Sequence, residues 1–406
     1  MSSLQSGPMP STAESAERAE APAIQTAAPD SITGLAVAAD ARRIRAFDLA
    51  RGLAVVFMVD VHVLWHWGAP ATWQTPIGSV ISILGGPTAA PTFMFLMGDS
   101  LAFSSRATFG WLAARGTWLV FLGYLLNLLR GAIPATLGLA TGVVSADQIA
   151  PFTPWFLATT VDIHQMAGLS LISIAILRSR ANPGAGWLGL GGAIVLAAPW
   201  LRSLQFGTPL LDGPLTPVLG SADNVYYALV PWLWYPLAGG VFGVVLARAA
   251  DRRRTFRLAG LLGVGLGLAG LVLLQIQRPA VDVSTYWREP LSYVLGITGV
   301  VLVWLGACDA LTRIGWLDRR LGIVYGWSRR VIPMYFTHWV IVGWGVGVVG
   351  FRDLPLELVL PSMAVALVLT AKLSRIAVSL ESTPAWLVRV WSGRRSAAAA
   401  DSPAAA

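Results

Sequence analysis

The sequence predicts an all-α, polytopic transmembrane helix bundle of about ten spans with both termini cytoplasmic, and three observations predict it. Of its 406 residues, 55% are hydrophobic and only 12% are charged, and the mean hydropathy is +0.64. That balance lies far from soluble globular domains. Apolar runs of about 20 residues, the length that crosses ~30 Å of hydrocarbon, recur along the chain. Arginines gather in alternate connections between those runs, as the positive-inside rule requires.

The net charge of +8 and pI near 10.2 are therefore topological rather than a nucleic-acid-binding stripe. The single cysteine, Cys308, has no intrachain partner, so disulfides contribute nothing.

Taken in order, residues 1–40 are rich in Ala, Ser, Pro and Glu without a signal-peptide core, and read as a disordered cytoplasmic tail. Spans are expected over 46–67, 77–104 and 109–129. Residues 131–154 are Gly/Pro-containing and weakly apolar, and read as a surface or re-entrant segment. Further spans are expected over 155–177, 184–201, 226–247, 258–276, 291–311, 331–349 and 356–376. The transmembrane domain thus covers 41–380, with 381–406 as a second cytoplasmic tail. Arg42, Arg43, Arg45, Arg106, Arg115, Arg178, Arg248, Arg252, Arg313, Arg329, Arg330 and Arg389 fall on one side, which is assigned to the cytoplasm. Tryptophans such as Trp65, Trp67, Trp155 and Trp200 mark span ends.

Ionisable side chains inside spans mark a site by default, because the bilayer penalises them. At 100° per residue, Asp48, Arg51, His62 and His66 fall within about 60° of one another on the first helix, while Asp60 points away. His62 lies about 21 Å beyond Asp48 at 1.5 Å per residue, in the outer half of the membrane. All four histidines lie in spans or at their ends. VDIHQMAG places Asp162 and Gln165 on one helix face and His164 on another, and MYFTHW carries His338. His62, Asp162, Gln165 and His338 can therefore meet at mid-membrane to outer depth, with His66 closer to the surface. Asp99 sits near the inner end of its span, at nearly the same helical angle as Arg106, and can pair with it.

A neutral histidine can take a proton from a hydroxyl or amine, or act as a nucleophile, and a neighbouring carboxylate or amide fixes its tautomer. Arginines at the cytoplasmic mouth suit the phosphates of a donor such as acyl-CoA. The blander readings are structural: an Asp48–Arg51 pair at a helix start, interhelical hydrogen bonds from the histidines, and glycines such as Gly263 and Gly270 that permit close helix packing. Metal binding is not expected. His62 and His66 have i, i+4 spacing but lack a third ligand and a catalytic Glu between them.

RIRAFDLARGLAVVFMVDVH, followed by AAPTFMFLMGDSLAFSSR, resembles the opening of integral-membrane acyltransferases of the heparan-alpha-glucosaminide N-acetyltransferase catalytic-domain type. The resemblance is specific over about residues 42–106, with weaker echoes in VDIHQMAGLSLISIAIL and IPMYFTHWVIV. Asp48, Arg51 and Gly52 match D-x-x-R-G, and Pro91, Phe93, Phe95 and Gly98 match P-x-F-x-F-x-x-G. It implies transfer of an acetyl or similar group from cytosolic acetyl-CoA or another acyl-CoA to an acceptor, often a sugar. One departure matters. The mammalian member has its active-site histidine in the first external connection, with Asn where this chain has His62, whereas here residues 68–76 contain no histidine. Either His62 or His66 has taken the role, or the chemistry has been lost.

The expected catalytic set is His62, His66, Asp162, Gln165 and His338, and the expected donor-binding set is Asp48, Arg51, Asp99, Arg106, Arg329 and Arg330. Expected partners are the bilayer, acyl-CoA and a sugar or other small-molecule acceptor, with a homodimer as a compatible assembly, no nucleic acid, and a bacterial plasma membrane as the location. A proton-coupled transporter or flippase using the same buried Asp and His groups is the competing expectation.

Overall fold

The computed structural model describes residues 44–104, 106–278 and 283–393; the expected N-terminal tail and the last part of the C-terminal one lie outside them. The described residues form an all-α bundle, with no strand among them and only two isolated bridges, Gly68 with Leu354 and Val161 with Val225. Ten helices carry the architecture: α1 (Arg45–Trp67), α2 (Pro76–Ser100), α3 (Phe109–Thr141), α4 (Ile163–Arg178), α5 (Ala185–Arg202), α6 (Leu229–Arg248), α7 (Arg252–Gln277), α8 (Leu291–Thr312), α9 (Val331–Val349) and α10 (Leu356–Leu373).

Eight of them, all but α1 and α4, are long and apolar enough to cross a membrane, counted among the described residues. The two exceptions have physical reasons. Helix α1 has ample length at 23 residues but carries Asp48, Arg51, Asp60, His62 and His66. It tolerates them because α2, α8, α9, α10 and the short helix Gly322–Ser328 surround it, so more than half of it is buried. Helix α4 has only 16 residues. The single span expected over 155–177 is broken at Thr160–Asp162, between the short helix Pro154–Thr159 and α4.

Two further differences from expectation lie in α2 and α3. Each contains a π-helical stretch, Leu84–Ala89 and Leu128–Ala132. Such one-turn widenings re-aim the following residues without ending the helix. Helix α3 consequently runs on to Thr141 through residues expected to be a surface segment, and it ends at Gly142 in the left-handed conformation (φ +75°). Of the expected tail 381–406, the described part is packed: Glu381 pairs with Arg115 (3.3 Å) and the helix Ala385–Trp391 lies against α3.

Close backbone approach sets how tightly the bundle closes. A Cβ on Gly98 would lie 1.9 Å from the Pro236 carbonyl oxygen, which joins α2 to α6, and one on Gly52 would lie 2.4 Å from the Val324 oxygen. The two motif glycines are thus packing positions. Likewise Gly263 and Gly270 of α7 meet α8 directly, while Leu261, Leu268 and Leu271 on the same helix are exposed, as a lipid-facing surface would be. At the end of α1 remote from the arginine-rich connections, the carbonyls of Trp65, His66 and Trp67 are satisfied by N–H groups of Arg352, Asp353 and Leu354.

Gly98→Ala should therefore force α2 and α6 apart at a cost of about 1–3 kcal/mol, the range for overpacking. Gly189→Ala, with open space at its Cβ, should leave the melting temperature of the purified protein unchanged or slightly raised. Equal melting temperatures for the two variants would contradict the packing account.

Candidate active site around His62 and His338

Helices α1 and α9 bring two of the four histidines into direct contact. His62 Nδ1 and His338 Nε2 are 2.9 Å apart, and the rings stack at 18° with centroids 5.1 Å apart. The other nitrogen of His338, Nδ1, faces the Met334 carbonyl at 3.2 Å. A carbonyl only accepts, so His338 Nδ1 carries a proton. In the neutral rings His338 Nε2 then accepts, and His62 Nδ1–H donates to it. The remaining nitrogen of His62, Nε2, is left with its lone pair. This tautomer is assigned from the hydrogen-bond pattern. His66 is organised similarly one turn on: its Nδ1 donates to the His62 carbonyl at 3.0 Å. The Trp339 ring covers both, 4.1 Å from His62 and 5.0 Å from His66.

The π-helical turn in α3 supplies a residue that the sequence reading passed over. Arg130 packs its guanidinium 4.0 Å from the Trp339 ring centroid and pairs with Asp162 at 2.6 Å, both side chains only 10% exposed. Gly343 makes the approach feasible, since a Cβ there would lie 1.8 Å from the Arg130 carbonyl oxygen. One turn earlier, Asn127 donates to the carbonyls of Ala158 (3.3 Å) and Thr160 (2.6 Å). Helix α3 thus holds the break that precedes α4.

Asp162 is the N-cap of α4. Its Oδ1 accepts the Ile163 N–H at 2.7 Å and its Oδ2 takes Arg130. Gln165 completes the cap: its Oε1 accepts the Asp162 N–H (3.1 Å) and its Nε2 donates to the Thr160 carbonyl (3.2 Å). Both ends of the Gln165 amide are therefore committed to backbone. His164 is buried edge-on to Tyr335, with centroids 4.4 Å apart, and its Nδ1 has no hydrogen-bond partner among the described residues. Asp60 is half-buried elsewhere on α1.

Two cavities flank this constellation. A small one, with about 20 Å³ reachable by a water centre, is walled by Met58, His62, Phe93, Asp162, Tyr227 and Tyr335 among others. That is enough for one water molecule. A more open cleft of about 500 Å³ is lined by Pro151, Phe152, Phe156, Asp223, Asn224 and Tyr226. Consecutive tyrosines separate them, Tyr226 facing the cleft and Tyr227 the cavity. Their segment is pinned beside Asp162, because the Val161 N–H donates to the Asn224 carbonyl (2.9 Å) and the Tyr226 N–H to the Val161 carbonyl (3.0 Å). Burial pushes the Tyr226 phenol up to about 12, so it remains a donor.

The expected donor-binding residues are spread over the arginine-rich end. Ser328 Oγ donates to Asp48 Oδ1 (2.9 Å), joining α1 to the segment that carries Arg329 and Arg330. Arg51 donates to the Leu96 carbonyl of α2 (3.0 Å). Arg330 reaches the Ala371 carbonyl and Ser374 (3.5 and 3.4 Å), and Arg329 is exposed. Asp99 departs from expectation. It is fully buried and neither carboxylate oxygen has a hydrogen-bond partner among the described residues, while Arg106 is exposed, so the two do not pair. The reason is that α2 stops at Ser100, so Arg106 never continues the helical face on which the pairing depended.

A family model described as heparan-alpha-glucosaminide N-acetyltransferase, catalytic, matches residues 43–270, more than half of the chain. The match spans α1 through most of α7, and so includes His62, Arg130 and Asp162 but not His338 or Trp339. No curated protein matches the chain.

Removing the Asp162 carboxylate leaves a buried guanidinium without its counter-charge, which typically costs about 3–5 kcal/mol. Losing the Gln165 half of the cap costs about 1 kcal/mol. Thermal unfolding of the purified protein should therefore rank wild type above Gln165→Ala, and Gln165→Ala well above Asp162→Ala. The reverse order would contradict the ion pair's role.

Proposed function

The chain belongs to the heparan-alpha-glucosaminide N-acetyltransferase catalytic-domain family, and on that premise we propose that it transfers an acetyl or similar acyl group from cytosolic acyl-CoA to a hydroxyl or amine acceptor, with His62 as general base. It is an integral membrane protein, and we place it in a bacterial plasma membrane with its arginine-rich end in the cytoplasm. The observation that carries the reading is the His62–His338 hydrogen bond, which leaves Nε2 with its lone pair on a ring that lines the small cavity.

The chemistry divides among this chain's own residues. As an acceptor oxygen or nitrogen attacks the thioester carbonyl carbon, His62 Nε2 takes its proton. The imidazolium that forms is stabilised through its Nδ1–H bond to His338, whose own Nδ1 stays anchored on Met334. The carbon–sulfur bond then breaks, and the thiolate leaving toward the cytoplasm recovers the proton from His62. His66, one turn further out, lies where it can receive or orient the acceptor, and Asp162 holds the wall of the cavity.

Donor and acceptor approach from opposite ends. Arg51, Arg329 and Arg330 lie at the arginine-rich end, where Asp48 joins α1 to the segment before α9, and their guanidinium groups suit phosphates. His62 lies about 16 Å further along α1, a span that an extended pantetheine arm covers. The 500 Å³ cleft, with three aromatic rings beside Asp223 and Asn224, suits a small polyhydroxylated acceptor such as a sugar, whose ring face packs on aromatics while its hydroxyls bond the polar groups. The proton-coupled carrier or flippase draws on the same buried groups. It is less well supported, because Asp162 is locked to Arg130 and Gln165 to the cap, which leaves neither free to load and release a cation.

Thiol release from acetyl-CoA by detergent-purified protein tests the proposal. His62→Ala should lower kcat by about 10²–10⁴-fold, as expected for loss of a general base, with acetyl-CoA affinity retained. Arg51→Ala should instead weaken acetyl-CoA binding in calorimetry. Folded wild-type protein that neither binds nor turns over any acyl-CoA would overturn the acyltransferase reading in favour of the carrier.

A further inference from the structure

Acyl transfer also requires a stabiliser for the charge that develops on the thioester oxygen. When the acceptor adds to the thioester, the carbonyl π electrons move onto oxygen, and that oxyanion needs hydrogen-bond donors in a water-poor site. We infer that Arg130 supplies one through Nη1, making it a catalytic residue for the acyl transfer proposed above, on which this inference rests.

The guanidinium is built as a half-used donor. Its Nη2 is engaged twice, by Asp162 Oδ2 at 2.6 Å and Asn127 Oδ1 at 3.3 Å. Its plane is fixed over Trp339, with Cζ 4.0 Å from the ring centroid. Nη1 is buried and has no hydrogen-bond partner among the described residues. A buried, charged donor without a partner is costly, and such groups in folded proteins call for an explanation. Here the surroundings supply one. Trp339, on which Arg130 rests, is the ring that covers His62 at 4.1 Å, and Asp162, to which it is tied, walls the same small cavity as His62. Arg130 is thus held at two points, each of which is itself in contact with the base or its cavity.

The ion pair with Asp162 does not by itself account for this arrangement. The α3 backbone widens into a π turn at Leu128–Ala132 and lies against Gly343 of α9. Both features carry the guanidinium to the Trp339 face, whereas an ion pair alone needs only Nη2. In the transfer step the acceptor–carbon bond forms, the carbonyl oxygen gains the electron pair and receives the Nη1–H hydrogen bond, and His62 takes the acceptor proton. Collapse breaks the carbon–sulfur bond and restores the carbonyl, freeing Nη1. The donor acts only where charge develops, which is the requirement for lowering the barrier rather than tightening ground-state binding.

The test uses the full chain in detergent, with thiol release from acetyl-CoA measured with water and then with D-glucosamine as acceptor, and acetyl-CoA affinity measured by calorimetry. Arg130→Gln should lower kcat by about 10²–10³-fold, the range for an oxyanion donor, while acetyl-CoA affinity stays within about threefold of wild type. Asp162→Asn, which keeps the guanidinium but loosens one of its two anchors, should lower kcat less than Arg130→Gln does, and free guanidinium ion should not restore that loss. Free guanidinium ion should restore part of the activity of Arg130→Ala. If Arg130→Gln fails to fold, Arg130→Lys replaces it, keeping the charge but not the forked geometry: a lowered kcat at near-wild-type melting temperature supports the role, and a wild-type kcat overturns it. Arg130→Gln within threefold of wild-type kcat, or equal losses in Arg130→Gln and Asp162→Asn without guanidinium rescue, overturns it too. Wild-type protein that binds and cleaves acetyl-CoA while Arg130→Gln does so equally well sinks Arg130 alone. Wild-type protein that handles no acyl-CoA sinks the acyltransferase reading and this inference together.

Discussion

A polar side chain inside a bilayer must find its partner within the protein, and the hydrogen bond between His62 and His338 meets that demand for α1, which carries Asp48, Arg51, Asp60, His62 and His66. The contact dictates how closely α1 and α9 must pack. It is reinforced by the Trp67 indole donating to the Val342 carbonyl at 2.9 Å, one turn further along α9. Much of the surrounding structure serves the same end. The loop 352–354 closes off the α1 carbonyls, and small residues at Gly52, Gly98 and Gly343 bring neighbouring backbones near enough to exclude lipid and bury the polar stripe. A helix too polar to meet the bilayer alone is made tolerable by burial in a sleeve of apolar ones.

The same constraint separates the two ends chemically. At the arginine-rich end, Asp99 is buried but Asp48, Arg51, Arg329 and Arg330 are exposed or half-buried, and Asp48 bridges to Ser328. Toward the other end, one tight ion pair, Arg130 with Asp162, lies beside the histidines and a wall of tyrosines. That gradient suits a reaction whose polyanionic donor stays on one side while only a small acyl group meets the acceptor on the other. The consecutive residues Tyr226 and Tyr227, held to Val161 by backbone hydrogen bonds, form the partition between the open cleft and the closed cavity.

Much of this was legible from residue spacing. Helical rise alone put His62, Asp162 and His338 at a common depth, and the structure brings two of them into contact and lines one cavity with His62 and Asp162. What escaped was whatever depended on departures from the regular α-helix. Arg130 fell between an expected span and the segment after it, because nothing local announces a π turn that carries α3 onward. The break before α4 was hidden by an apolar run, although D-x-x-Q at Asp162–Gln165 is a readable capping-box pattern that argued for a helix start there. It also argued that Gln165 is used as a cap. Asp99 was matched to Arg106 by extending a helix that stops at Ser100. The aromatic cleft could not be read at all, because Phe152, Phe156 and Tyr226 converge only through tertiary packing.

With only four histidines in the chain, their tautomers can be read directly by nitrogen-15 solid-state NMR of histidine-labelled protein in lipid bilayers, assigned with a His338→Phe variant. The account predicts that His62 and His338 are neutral and protonated at Nδ1, with a coupling across the bond from His62 Nδ1 to His338 Nε2. A His62 ring protonated at Nε2, or the absence of any coupling between the two rings, would contradict it, because the base would then have no lone pair where the transfer needs one.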